Sequence, residues 1–220
     1  LGISRGRNLA VLQVKTKYFF LADDDIIFNN DTQLDKLVSI LDTTDATVAS
    51  ATYSGSLTFT GYFQFGYFNS NDKSKPRLGF YHNACTLVNQ TIPGHPDCVR
   101  CEVSSNVFLA RTKEILDIGG WDPELMTIEH KDIFIRLKAA GMKVALCPDA
   151  KVQHSRPGKV AMKGEGYKEK RRRGGKRPRL LEANRWNIHG ILETGAKGKL
   201  SLNKTSGEIE FKEVKVRGNC

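Results

Sequence analysis

The stretch Tyr18-Phe19-Phe20-Leu21-Ala22-Asp23-Asp24-Asp25-Ile26-Ile27-Phe28 decides the reading of this chain. Five apolar residues closed by polar, turn-forming ones read as a buried strand. In an open α/β sheet, ligands bind beyond the carboxyl ends of strands. Three carboxylates crowded there repel one another unless a counter-ion joins them. A hard divalent cation that also grips phosphate oxygens removes that repulsion. The competing reading is a solvated acidic turn that also starts a helix from Asp31.

Working outward, Arg5 to Lys15 has apolar residues at Leu9, Ala10, Leu12 and Val14, which suits a helix against a sheet. Asp31 is expected to cap a second helix, with Leu34, Leu37, Val38 and Leu41 on one face. Ala46 to Tyr53 is β-like. Leu57 to Phe68, rich in Thr, Phe, Tyr and Gly, reads as antiparallel ribbon or loop-rich sheet. Ser105 to Ala110 is another expected strand, and Thr112 to Ile118 a short helix stopped by Gly119-Gly120. A helix from Ile128 to Ala140 takes Thr127 as cap and Gly141 as stop. Lys143 to Cys147 and Lys151 to His154 are short strands around Pro148-Asp149. A hairpin is expected around Thr205-Ser206-Gly207. Early alternation of helices and strands, then antiparallel elements, predicts an α/β sheet with an added β region.

At 220 residues and 40% hydrophobic, the chain can bury one large core. No stretch reaches transmembrane length. A start at Leu1 rather than Met suggests a fragment or processed product. The net charge of +10 is uneven: Lys168 to Arg179 holds eight basic residues and one acid. Two glycines and a proline make that run a mobile loop. No RNA-binding sheet, helix-turn-helix or zinc finger frames it, so nucleic acid is not the expected partner.

The cysteines are Cys85, Cys98, Cys101, Cys147 and Cys220. Cys98-x-x-Cys101 lacks the second ligand pair of a zinc module. A Cys98–Cys101 or Cys85–Cys98 disulfide in an oxidising lumen is open, and so are core thiols. Asn30-Asp-Thr, Asn89-Gln-Thr and Asn203-Lys-Thr match the glycosylation acceptor pattern.

A second constellation is Gly119-Gly-Trp-Asp-Pro-Glu124, followed by Glu129-His-Lys-Asp-Ile-Phe-Ile-Arg-Leu137. Glu129 and His130 fall at a helix N-terminus, and Asp132 shares the stripe of Glu129. A base there meets a substrate in front of the helix end. The ordinary alternative has Glu129 complementing the helix dipole and Asp132 pairing with Arg136. His154 closes a strand and gains interest only as a neutral partner for a metal held by the aspartates.

The order of these motifs resembles inverting glycosyltransferases of the GT-A fold, the large family-two-like superfamily. Asp132-Ile-Phe-Ile-Arg-Leu137 is similar to the segment around the catalytic acid of β-1,4-galactosyltransferases. Arg7-Asn-Leu-Ala-Val11, Lys15-Thr-Lys-Tyr18, Asp23-Asp-Asp25 and Phe108-Leu-Ala-Arg-Thr112 resemble the ganglioside-type β-1,4-N-acetylgalactosaminyltransferases more closely. The likeness covers about residues 2 to 156. It implies a partial GT-A domain over 1–157, lacking its first strands, with a basic loop and poorly structured tail over 158–220.

The resemblance further implies a UDP-sugar donor (GalNAc, GlcNAc or Gal) and a glycan acceptor on lipid or protein. Asp23, Asp24 and Asp25 match a D-x-D motif that holds Mn²⁺ or Mg²⁺ and the nucleotide. Asp25, Asp23 and His154 are then the metal ligands, and Arg7 and Asn8 line the nucleotide pocket. The base comes from His130, Glu129 or Asp132. The galactosyltransferase-like pattern puts an acid where this chain has His130, whereas the ganglioside-type enzymes share the histidine, which is placed slightly ahead. Trp121 and Asp122 are expected to meet the acceptor, although a core role for Trp121 fits as well. The implied location is the Golgi lumen, through a membrane anchor outside this chain, or the cytoplasm for a parent that is not secretory. The rival reading is a non-catalytic glycan- or nucleotide-binding remnant of the fold.

Overall fold

The computed structural model describes residues 2–54, 60–66, 77–82, 91–125, 129–155, 191–194, 198–202 and 209–213. The basic run 168–179, Cys85, Cys220, Thr127, Ile128, the acceptor patterns at Asn89 and Asn203, the expected turn at 205–207 and the domain boundary at 157 lie outside them.

Helix α1 (Ile3–Leu12) precedes strand β1 (Tyr18–Leu21), the aspartates and β2 (Ile26–Ile27). Helix α2 (Leu34–Thr43) and strand β3 (Ala46–Tyr53) follow. Then come β4 (Thr60–Gly66), β5 (Arg77–His82), β6 (Thr91–Ile92), β7 (His95–Cys101), β8 (Val103–Ser104) and β9 (Phe108–Arg111). Helices α3 (Thr112–Asp117) and α4 (Glu129–Ala139) lead to the long β10 (Lys143–His154). Strands β11 (Ile191–Thr194), β12 (Gly198–Leu202) and β13 (Ile209–Glu213) complete the order.

The central sheet runs β1-β9-β3-β10-β7-β6, with β2 on the far end of β10. Strand β9 is antiparallel to both β1 and β3, so those two run the same way. Strand β10 is parallel to β3. The carboxyl ends of β1, β3 and β10 therefore emerge along one edge. A second sheet has the order β11-β5-β4-β8.

Period-two alternation divides the core into two faces. Phe108, Ala110, Val144 and Leu146 point to the face covered by Ile133, Phe134 and Leu137 of α4. Leu109, Ala145, Ala49 and Ala51 point to the other, against Leu37, Ile40 and Leu41 of α2. Those three α2 side chains are fully buried, and each contributes roughly 1.5–3 kcal/mol. The first seven residues of β3 are all buried, as a strand covered on both faces requires. The α/β class read from the sequence is the class observed.

Boundaries moved where tertiary contacts outweigh local signals. Helix α2 starts at Leu34 behind Gln33, and Asp31 does not cap it. Asp31 instead offers its carbonyl to the Lys151 amide at 3.0 Å, which ties this turn to β10. The two short strands expected around Pro148 are one strand, with a register shift between Leu146 and Lys151. That irregularity accommodates a proline, which lacks the amide proton of a regular ladder.

Both expected disulfides give way to a third. Cys98 pairs with Cys147, across β7 and β10. The antiparallel register sets Val99 opposite Leu146, so Cys98 and Cys147 are the next facing pair. Cys98 and Cys101, three apart on one strand, project to opposite faces and enter different core clusters. Replacing Cys98 and Cys147 by alanine should cost about 2–4 kcal/mol, because the bond closes a loop of sequence separation 49. Urea unfolding measures this. An unchanged midpoint and slope in the double variant would show that the bond adds nothing.

Candidate active site

The sheet edge explains why the acidic turn is where it is. After β1 ends, the chain turns and β2 pairs antiparallel with the end of β10, setting Ile26 opposite His154. The Ser155 amide donates to the Asp25 carbonyl at 2.8 Å. This register brings the side chains together: His154 Nε2 lies 2.9 Å from Asp25 Oδ2. Tyr53, the last residue of β3, packs its ring 5.5 Å from the His154 ring. Burial, followed by the charges of Asp23 and Asp25, pushes the Tyr53 phenol up to about 12. Sequence reasoning missed Tyr53. The only signal was its place at the end of a strand parallel to the one that closes on His154.

Arg7 connects this turn to α4. Its Nη1 donates to Glu129 Oε1 at 2.8 Å, and its Nη2 to Asp23 Oδ1 at 3.2 Å. The guanidinium lies 5.7 Å from the centroid of the Trp121 ring. The next residue on α1, Asn8, has a different task from the expected nucleotide contact. Its Nδ2 donates to the Trp121 carbonyl at 2.7 Å, and its Oδ1 accepts the Trp121 amide at 2.9 Å. Gly119 and Gly120 hold φ of +78° and +63°, the left-handed turn that delivers Trp121 to this clamp. A Cβ on Gly120 would lie 2.5 Å from Asn8 Oδ1.

Trp121 is consequently core, only 1% exposed, with Phe19 edge-on at 6.4 Å. Asp122 is also buried and accepts the Glu124 amide at 2.9 Å. The expected acceptor contact of these two residues does not fit their burial. Asp24 is exposed at the lip of an open groove of about 520 Å³ between α1 and β1, beside Asp23 and Arg7.

The three candidate bases separate by environment. Glu129 is buried at the start of α4, and desolvation raises its carboxyl, partly offset by Arg7. His130 Nε2 donates to the Ser104 carbonyl at 2.6 Å, and its ring is edge-on to Phe134 at 5.6 Å. Burial lowers its imidazole to about 4. Asp132 is fully buried beneath the helix. Of the three, Glu129 is the one tied through Arg7 to the acidic turn.

The residues fit a divalent cation in one specific way. Asp25 Oδ1 is enclosed and has no hydrogen-bond partner, while Oδ2 faces His154. A carboxylate oxygen and an imidazole nitrogen suit Mn²⁺. Among the described residues no cluster of three or more such ligands exists. Two protein ligands with the remainder from substrate oxygens is how phosphate-bound Mg²⁺-type sites are built.

No protein-family model matches the chain. It is 36% identical over 152 residues to β-1,4 N-acetylgalactosaminyltransferase 1 of Mus musculus. To the Homo sapiens protein of that name it is 34% identical over 156 residues. Identity to β-1,4 N-acetylgalactosaminyltransferase 2 of Mus musculus is 31% over 151 residues. Each match covers 68% of this chain and 27% of the relative, so the chain spans about a quarter of their length. Among solved structures, GalNAc-T7 with UDP, GalNAc and Mn²⁺ aligns at a TM-score of 0.48 and 12% identity, over 70% of this chain and 30% of that one. Over 68% of its residues, then, this chain is a homologue of the β-1,4 N-acetylgalactosaminyltransferases.

Proposed function

We propose that this chain carries the donor site and base of a metal-dependent, inverting glycosyltransferase of GT-A type, which moves GalNAc from UDP-GalNAc to a glycan hydroxyl. The supporting observation is the linkage of Glu129, Arg7 and Asp23 on the same sheet edge as the Asp25–His154 pair. These residues come from four separate segments, and an incidental acidic turn would not gather them. Asp25 and His154 would hold the cation, with Asp23 and Asp24 toward the nucleotide. A cation held there would supply positive charge to offset that of the diphosphate leaving group. Glu129 takes the proton of the acceptor hydroxyl attacking from the opposite face of the sugar. Its desolvated carboxyl is a stronger base than a solvated glutamate. The half-buried Tyr53 ring packs beside the His154 imidazole.

The Cys98–Cys147 bond supports an oxidising compartment such as the Golgi lumen. No described helix is long and apolar enough to cross a membrane. Calorimetry with UDP and assay with UDP-GalNAc test the reading. UDP binding that tightens at least tenfold with Mn²⁺, and sugar transfer to a glycan, are the expected results. A protein that binds no UDP with Mn²⁺ present would be the non-catalytic remnant instead.

A further inference from the structure

We propose that Arg7 is a positioning residue that holds Glu129 and Asp23 in one arrangement, and is not the grip on the nucleotide that its motif suggested. The inference rests on the functional reading above. The Arg7 side chain is only 9% exposed. Its two terminal nitrogens are committed to carboxylates on different elements, 122 and 16 residues away in sequence. One face of the guanidinium is turned to Trp121, whose main chain Asn8 clamps on both sides. Two of its five N–H donors hold carboxylates, and little of the side chain is left open to a diphosphate.

The exposures run in one direction. The Glu129 side chain is 7% exposed and that of Asp23 45%. The buried end of the bridge is therefore the candidate base, and the open end is the acidic turn that meets the donor. Two adjacent residues of α1 divide the work: Asn8 fixes the floor, and Arg7 fixes what stands on it. Arginine suits this because its planar fork serves two acceptors at once, whereas lysine presents a single point charge. Removing the charge strands Glu129 as a buried carboxylate without its partner, a strongly unfavourable state.

The test compares wild type with Arg7→Lys, Arg7→Gln, Glu129→Gln and the double variant Arg7→Gln/Glu129→Gln. The readouts are UDP–Mn²⁺ affinity, donor KM and kcat. A positioning role predicts that Arg7→Gln keeps UDP affinity and donor KM within threefold while kcat falls at least thirtyfold. Arg7→Lys should recover only part of the loss. The double variant should be no slower than Glu129→Gln alone, because both changes remove one arrangement. Should Arg7→Gln not fold, Arg7→Lys and the double variant carry the same comparison. A tenfold or larger loss of UDP affinity with kcat nearly unchanged would overturn the proposal, as would multiplicative losses in the double variant. A wild-type protein that binds UDP but transfers nothing sinks the functional reading itself. An active wild type with an unimpaired Arg7→Gln variant sinks only this inference.

Discussion

Asp25→Asn is expected to lower sugar transfer by about 10³–10⁴-fold while leaving the fold intact, since cation-based charge stabilisation contributes several kcal/mol to a transition state. The change is nearly isosteric. The main-chain tie from Ser155 to the Asp25 carbonyl does not involve the side chain and persists. What disappears is the negative charge, and with it the anionic character of the enclosed Oδ1, which has no hydrogen-bond partner to replace. An amide there can still face His154, so packing around Tyr53 is preserved. Mn²⁺ binding followed by electron paramagnetic resonance should weaken in parallel with activity, and the melting temperature should change little. Transfer within tenfold of wild type at saturating Mn²⁺ would remove Asp25 from the metal site.

Much of this edge was legible because strand ends are legible. The apolar run Tyr18–Ala22 stops at the aspartates, and the alternating end of β10 stops at His154. Both lie on strands that point the same way. What could not be read was the order of strands in the sheet. Strand β10 sits between β3 and β7, neither of them its neighbour in sequence, so nothing local announced that Cys98 faces Cys147. Arg7 and Glu129 are 122 residues apart, and each has an adequate local explanation, one as a helix surface cation and the other as a dipole partner. Trp121 left two readings open for a related reason. An aromatic residue after two glycines suits an acceptor sugar or the core equally. Here the left-handed glycine turn drives it inward, against an Asn8 clamp that no local pattern contains.

The choice of base follows the same logic, and the environments in the fold favour Glu129 over His130. The histidine shared with the ganglioside-type enzymes put His130 slightly ahead, and a free imidazole has a pKa that suits proton abstraction near neutrality. In the fold the environments trade places. Burial holds the His130 imidazole at about 4. Its Nε2 hydrogen is committed to the Ser104 carbonyl, which can only accept. A base that weak has little driving force to take a hydroxyl proton. Glu129 moves the other way, because desolvation raises its carboxyl above the ordinary glutamate range. The Arg7 guanidinium partly offsets that rise, and the carboxylate gains basicity. Glu129→Gln is therefore expected to lower kcat by about 10²–10⁴-fold, the usual contribution of a general base. His130→Gln should cost less than about tenfold, through lost packing against Phe134. The pH profile separates the two further. Glu129 acts when deprotonated, so activity should rise with pH through a pKa above that of a free glutamate. That limb should vanish from the residual activity of Glu129→Gln and persist in His130→Gln. The opposite pattern, with the limb near 4 lost only in the His130 variant, would return the role to histidine.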